Sequence, residues 1–518
     1  FMAQSQWLRK RNYLEREFFS CFFQGYRILC VFPFNGWSHF SMFEVICKGL
    51  AKKGHQIDMI SHFPTKTPVA NYTDIIDLKA TGGGTVLDIP INHARSMDEW
   101  GIYYIATEYA NLSRDPNHCR LEDFNELFRV LQYFGSPCYI GFGELLKAPV
   151  VIAVSSLEMS HVTDLIGNPQ NYAFFPGFHM NKPVLDTFSD RLWNFLANYK
   201  EMVKFHYYTS DQTDMMKKYL GLPGIRHIRE LEKNVALAIV NTHHSLFGIR
   251  HTTPALIEAA GLHLHKEVPK LSPVNLQNWL DSADNGLVYF SLGSLLLVES
   301  LPKETLLSLY ASFAKIAPLK VLMKSANASK LPPGLPSNTI TSPWVAQVSV
   351  LKHKNTRVFI THGGLMGTQE AVYYGVPMVG IPIFIDQIKN VNILKQKNMA
   401  RMIQLEDITE NSMDAALNAV LHDPIYRESA KRTSKLFRDR PLSAIDTTTY
   451  WIEYIIRNGP DSLRSPAIDL PWWKLNLIDV FAFLIFCLVL VISLFTILLR
   501  ITLRRIRKGN VQTKQKVK

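Results

Sequence analysis

At 518 residues the chain is too long for one ordinary core and implies two domains of ~200 residues each. Its 47% hydrophobic and 19% charged content is that of a folded protein and excludes a disordered one. The formal charge of +12 invites a nucleic-acid partner, but eight of the twelve excess charges (Arg500, Arg504, Arg505, Arg507, Lys508, Lys514, Lys516, Lys518) lie in an acid-free C-terminal tail, so no nucleic-acid groove is expected.

In chain order, residues 1–24 read as an altered or remnant N-terminal segment. Arg9, Lys10, Arg11 and Arg16 precede "FFSCFF", which is shorter than the ~7–15 apolar residues of an ordinary secretory leader. "RILCVFPF" (Arg27–Phe34) is a strand, "SMFEVICKGLAKKGH" has helical spacing up to Gly54, and "QIDMISHF" is a second strand, together a βαβ unit. "VVIAVSS" (Val150–Ser156) and "VALAIVN" (Val235–Asn241) are apolar on both faces, as buried parallel strands are. Before them, Leu121, Phe124, Phe128, Leu131 and Tyr133 have helical spacing.

Residues 265–277, "HKEVPKLSPVNLQ", form a polar linker with two prolines. A second α/β series follows: "GLVYFSLGS" (Gly286–Ser294), a helix after Pro302, "KVLMKS", "TRVFITHGG", a helix, "PMVGIPIF" and a helix from Asp386. The reading is one α/β half over 25–264 and a second over 278–460, then a stalk over 461–476. The 20 residues Val480–Leu499 carry no charge and follow Trp472 and Trp473, so 477–499 is expected to span a membrane, with 500–518 a basic cytosolic tail. The terminal "KQKVK" resembles an endoplasmic-reticulum retrieval signal, and Asn71, Asn111 and Asn327 begin Asn-x-Ser/Thr triplets. The six cysteines show no disulfide framework and no Cys-x-x-Cys pair, and no structural zinc is expected.

The chemistry concentrates in "FITHGGLMGTQEAVYYGVPMVGIPIFIDQ" (Phe359–Gln387), where two apolar strands end in polar groups. Ligands of open α/β sheets bind beyond the strands' carboxyl ends. Gly363 and Gly364 allow a ligand to approach the backbone, and the helix after them presents free N–H groups to a diphosphate. His362 can donate to phosphate, Glu370 can face a ribose, and Asp386 and Gln387 suit sugar hydroxyls. Upstream, Trp344 can stack on a base that Gln347 reaches. Singly, each residue is ordinary: a helix-start acid, a core tryptophan, a structural histidine. Their joint spacing is what carries the reading.

That spacing resembles the nucleotide-sugar motif of the UDP-glycosyltransferases, nearest to the membrane-anchored animal, insect-like branch. "LCVFPFNGWSHF", "DLIGNP" (Asp164–Pro169), "VYFSLGS", "LPSN" and "DRPLS" support it over roughly residues 25–505. The resemblance implies a GT-B fold of two doubly wound Rossmann-like domains plus a C-terminal transmembrane helix, in the endoplasmic-reticulum membrane with a lumenal body. It implies that Trp344 and Gln347 hold uridine and Glu370 the ribose. Ser294, His362, Gly364 and the Gly367 backbone would hold the diphosphate, and Asp386 and Gln387 the sugar. His39, in "GWSHF", would be the base of an inverting hexose transfer from a UDP-sugar, with glucose expected over glucuronate, to a hydroxyl of a small lipophilic acceptor. No metal or cofactor is implied; the UDP-sugar is a co-substrate. The other expected partners are the bilayer and further family members in an oligomer.

The sequence departs from the family at two places. Ala346 replaces the proline of Trp-x-Pro-Gln. An apolar strand followed by an acid that orients the catalytic histidine is expected where this chain has the helical-looking window at 121–133, with Ser136 or Pro137 at the acid's place and no acid from Leu127 to Gly143. The strand reads as deleted or replaced, with Glu122, Asp123 and Glu144 the nearby substitutes. The alternative is therefore a catalytically impaired family member that binds UDP-sugar and associates with active relatives; an unrelated nucleotide enzyme such as a dehydrogenase is a third reading. For the acceptor pocket, Phe174, Phe175, Phe178, Trp193 and Phe195 are the aromatic candidates.

Overall fold

The computed structural model describes residues 25–79, 91, 127–133, 137–265, 271, 274–294 and 296–516. The N-terminal segment, Glu122, Asp123, Ser136, Asn111, most of the linker and the final two residues lie outside them. The chain forms two compact units, a body up to Arg464 and a C-terminal segment from Ser465.

The body holds two parallel sheets. The first has β1 (Arg27–Phe32), β2 (Gln56–Ser61), β3 (Tyr72–Asp77), β4 (Leu127–Gln132), β5 (Val150–Val154), β6 (Val235–Val240) and β7 (Leu256–Glu258), in the order β3-β2-β1-β4-β5-β6-β7. The second has β8 (Leu287–Ser291), β9 (Lys320–Lys324), β10 (Thr339–Ser342), β11 (Thr356–Thr361), β12 (Met378–Gly380) and β13 (Ala400–Met402), in the order β10-β9-β8-β11-β12-β13. Both reverse direction beside their first strand, β1 against β4 and β8 against β11. That reversal opens a crevice at the strands' carboxyl ends.

Strand alternation explains the cores. In β1, Ile28, Cys30 and Phe32 enter one apolar layer while Leu29 and Val31 enter the layer on the opposite face. Helix α1 (Trp37–Lys52) covers the first layer with Phe40, Phe43, Ile46, Cys47 and Leu50, spaced by three and four. It ends at Gly54, whose φ of +96° suits glycine alone.

The helices that matter for the site are α2 (Phe188–Tyr208) in the first half and, in the second, α3 (Gln347–Lys352), α4 (Leu365–Tyr374) and α5 (Gln387–Gln396). Helix α6 (Ala444–Asn458) follows the second sheet in sequence, yet Ala444, Ile452 and Ile455 belong to the apolar layer of the first. The C-terminal unit contains α7 (Ile478–Lys516), whose stretch Ile478–Ile506 is long and apolar enough to cross a membrane, with its apolar side chains exposed.

The helical reading of 121–133 is overturned where the segment is described. Residues 127–132 are β4, hydrogen-bonded in parallel to β1 and β5 at the centre of the sheet, so the strand is neither deleted nor replaced. Phe128 and Val130 face the α1 layer, and Leu131 and Tyr133 the other, which is the period of a strand buried on both faces. The polar interruptions have partners: Arg129 Nη1 donates to the Ala148 carbonyl (3.3 Å), and Gln132 Oε1 accepts from the Phe34 N–H (3.1 Å). The short turn Pro137–Ile140 follows. A Leu131→Ala substitution is expected to destabilise the body by ~2–5 kcal/mol, read from chemical denaturation, as deletion of a fully buried leucine does.

Candidate active site

The carboxyl ends of both sheets line one cavity of about 460 Å³. All ten residues singled out by sequence face it: His39, Ser294, Trp344, Gln347, His362, Gly364, Gly367, Glu370, Asp386 and Gln387.

On the first-sheet side, Gln132 ties down the loop after β1, and His39 follows in the first turn of α1. Its Nδ1 lies 2.5 Å from Ser155 Oγ, just past the end of β5, and its ring meets Phe34 edge-on at 4.8 Å. Lost hydration pushes the imidazole pKa down to about 4, so the ring is neutral at pH 7. Glu144, one of the nearby substitutes for the expected acid, instead pairs with Arg226 (2.6 Å) and does not line the cavity.

On the second-sheet side, β11 runs into His362-Gly363-Gly364 and then α4. Gly363 has φ +84°, a Cβ there would stand 2.4 Å from Val391, and its carbonyl accepts from Asn390 Nδ2 (3.1 Å). The His362 ring lies against two glycines: a Cβ on Gly293 or Gly364 would come within 2.7 or 2.5 Å of it. Burial, and then the Lys324 ammonium, push the His362 pKa down to about 4. Lys324 Nζ donates to the Gly293 carbonyl (2.6 Å) and sits 5.3 Å from the Trp344 ring centre. A cation, a neutral imidazole and the N–H groups opening α4 thus converge, which is the chemistry of an anion seat.

Further along, Gln347 opens α3; its Nε2 donates to Glu370 Oε2 (2.6 Å) and its Oε1 accepts from Tyr289 (3.3 Å). A Cβ on Gly367 would meet Gln347 Nε2 at 3.1 Å, so the small residue leaves that amide room. The other Glu370 oxygen lies 3.4 Å from His263 Nε2. At the opposite end, burial raises the Asp386 pKa against the Asn390 amide, which donates to Asp386 Oδ2 (2.9 Å). Gln387 Oε1 accepts from the Ile383 and Phe384 N–H groups (2.9 and 3.2 Å), which leaves its amide N–H₂ as the group to offer a ligand. Those bonds brace Ile385, a β-branched residue at φ +57°, a conformation that costs ~1–3 kcal/mol and marks a site held in place by its surroundings.

The aromatic acceptor-pocket reading is corrected for four of its five residues. Phe178 lines the cavity, together with Phe34 and Trp37. Phe174 and Phe175 border a separate water-sized space of about 30 Å³, and Trp193 and Phe195 point outward from α2. Sequence reasoning missed Ser155, His263, Tyr289 and Lys324. For Ser155 and Lys324 a signal existed, since each stands at the carboxyl end of a strand read from sequence.

Comparison with known proteins places this geometry. Residues 130–514 match the family described as UDP-glucoronosyl and UDP-glucosyl transferase. UDP-glucosyltransferase 2 of Dactylopius coccus is 31% identical over 479 residues, covering 89% of this chain and 91% of that protein. UDP-glucuronosyltransferase 2A3 of Homo sapiens is 28% identical over 489 residues, covering 89% and 90%. Among solved structures, a UDP-glucosyltransferase from Polygonum tinctorium superposes with a TM-score of 0.55 at 14% identity, covering 83% of this chain and 98% of that one. The glycotransferase of kitacinnamycin gives 0.53 at 18%, covering 84% and 99%. These likenesses establish the GT-B fold.

The two glycines of the bend should respond differently to substitution. Gly363→Ala places a side chain in a left-handed conformation against Val391 and the Gln387 carbonyl and should lower the melting temperature markedly; Gly364→Ala displaces only the His362 ring and should lower it less.

Proposed function

The chain belongs to the UDP-glycosyltransferase family, and from that premise we propose that it transfers a hexose, glucose rather than glucuronate, from its UDP ester to a hydroxyl of a small lipophilic acceptor with inversion. The observation that carries this reading is the single cavity in which His39 faces the anion seat built by Lys324, His362 and the start of α4. Trp344 stacks on uracil, Gln347 reaches its edge, and Glu370 takes the ribose hydroxyls. Ser294, His362, Gly364 and the Gly367 backbone hold the diphosphate. Asp386 and the Gln387 amide hold the sugar; a carboxylate at that end favours a neutral hexose over a uronate. The apolar wall of Phe34, Trp37, Phe178 and Met366 takes the acceptor.

In the step itself, Nδ1–H of His39 donates to Ser155 Oγ and Nε2 takes the acceptor's proton. The acceptor oxygen attacks the anomeric carbon while the bond to the diphosphate oxygen breaks on the opposite face. The Lys324 ammonium and the α4 amides neutralise the departing diphosphate. Ser155 stands where a carboxylate would stabilise the imidazolium more strongly. Membrane attachment through 477–499, with the body lumenal in the endoplasmic reticulum and the basic tail cytosolic, belongs to the same reading.

A UDP-release assay with UDP-glucose and UDP-glucuronate across phenol and steroid acceptors tests it. Turnover is expected with UDP-glucose, and His39→Ala should lower kcat by ~10²–10⁴-fold. No turnover with either donor, alongside UDP protection against heat, would identify the impaired, UDP-binding member instead. Because the His39 pKa is depressed, its basic form persists well below the usual histidine range. The acid limb of kcat/KM should therefore fall as pH drops through about 4, not through 6.5. Ser155→Ala should reduce kcat while leaving the KM for UDP-sugar nearly unchanged.

A further inference from the structure

The turn Leu262–His265 comes from the first half but is anchored in both. Leu262 enters the apolar layer that α1 covers, while Ala260 and Leu264 enter a layer packed on the second sheet with Leu287, Tyr289 and Phe359. His263, between those anchors, stands in the wall of the cavity. The same stretch meets two neighbouring residues of α4: the Gly261 N–H donates to Gln369 Oε1 (2.9 Å), and His263 Nε2 lies 3.4 Å from Glu370 Oε1. The histidine is only 7% exposed, yet among the described residues neither of its ring nitrogens has a hydrogen-bond partner. Its contact with Glu370 is close enough for attraction but is not aligned as a hydrogen bond. A buried ring nitrogen left in that state is costly, and in the wall of a binding cavity it calls for a functional reason.

Resting on the assignment of Glu370 to ribose, we propose that His263 is its positioning residue: it fixes the Glu370 carboxylate so that the two oxygens take the 2′- and 3′-hydroxyls of a ribonucleoside diphosphate. A carboxylate offers about four lone-pair sites. Gln347 Nε2 takes one on Oε2 (2.6 Å), and His263 faces Oε1 from the opposite half. One site on each oxygen is then left, which matches a vicinal diol. The terminal torsion of a glutamate is broad, so Gln347 alone leaves the far oxygen free to swing. A second donor opposite it removes that freedom before the nucleotide arrives, and less ordering is left to oppose binding. With the proton on Nε2, a small rotation of the ring turns the 3.4 Å contact into a bond to Oε1. Gln347 stands on α3 of the second half and His263 on the turn of the first, so the diol is read in full only with the two halves in register.

Calorimetric titration of the full chain in detergent micelles with UDP and with 2′,3′-dideoxy-UDP tests this. The wild type should prefer UDP by at least ~10-fold, since each hydroxyl bonds a charged group. His263→Leu fills the space without an orphaned nitrogen. It should cut that preference by ~5-fold or more through weaker UDP binding, with the Kd for the dideoxy analogue unchanged. His263→Gln, whose amide nitrogen reaches the place of Nε2, should keep the preference. His263→Asn, whose amide is too short, should lose it, and this contrast carries the test where the His263→Leu variant does not fold. In a Glu370→Ala background, His263→Leu should change nothing further. If His263→Leu and His263→Asn keep the full preference, or weaken UDP and the dideoxy analogue alike, the positioning role is overturned and the assignment of Glu370 to ribose stands. A wild type that binds UDP no better than the dideoxy analogue, or does not bind UDP, overturns that assignment and the positioning role with it.

Discussion

One fully buried side-chain amide sets how the two sheets face each other. Gln369, on α4, accepts from the Gly261 N–H through Oε1 (2.9 Å) and donates through Nε2 to the Asn241 carbonyl (3.0 Å), both on the first-sheet side. Gln369 lies next to Glu370 and on the helix opened by the Gly363-Gly364 bend. The bond that aligns the halves therefore also positions the anion seat. Lys389, on α5, adds a second suture, donating to the carbonyls of Pro176 (2.9 Å) and Gly177 (2.5 Å). Burial lowers its pKa to about 7, with Glu158 and Glu201 opposing that fall. A buried amide and a buried amine are costly unless satisfied, and here backbone atoms of the other half satisfy them. The helices α4 and α5 are thereby fastened across the crevice.

Given that alignment, the site works by contrast of charge. His39 and His362 are held neutral by lost hydration, while Lys324 supplies positive charge between Gly293 and Trp344. In the proposed reaction, a neutral base on one side and a cation on the other would let one cavity remove a proton and receive a diphosphate without the two functions opposing each other.

Much of this was legible from spacing alone. Strands apolar on both faces, a His-Gly-Gly ending one of them and an Asp-Gln opening the next helix are local patterns, and all ten singled-out residues reached the same cavity. What failed was whatever depended on the other side of the structure. In β4, Phe128 and Leu131 are three residues apart, a helical interval, but they point to opposite faces of a central strand; Arg129 and Gln132 break its apolarity because each supports a neighbouring loop. The aromatic residues of 174–195 suit a pocket by type, but α2 buries asparagines and turns Trp193 and Phe195 outward. His263 is an ordinary residue in sequence; only the approach of the turn Leu262–His265 to α4 gives it a role.

The return of α6 to the first sheet bears on how the polypeptide matures as it is made. Ile445 and Thr449 close over Gly49 of α1, and Ala444, Ile452 and Ile455 complete the layer begun by Ile28 and Phe40. About two hundred residues separate β7 from that closing helix, so a nascent first half emerges with an unsealed apolar seam. The seam shuts only when nearly the whole body has left the ribosome, which makes the leading half the natural client of a holdase and makes the two halves poor candidates for expression as separate pieces.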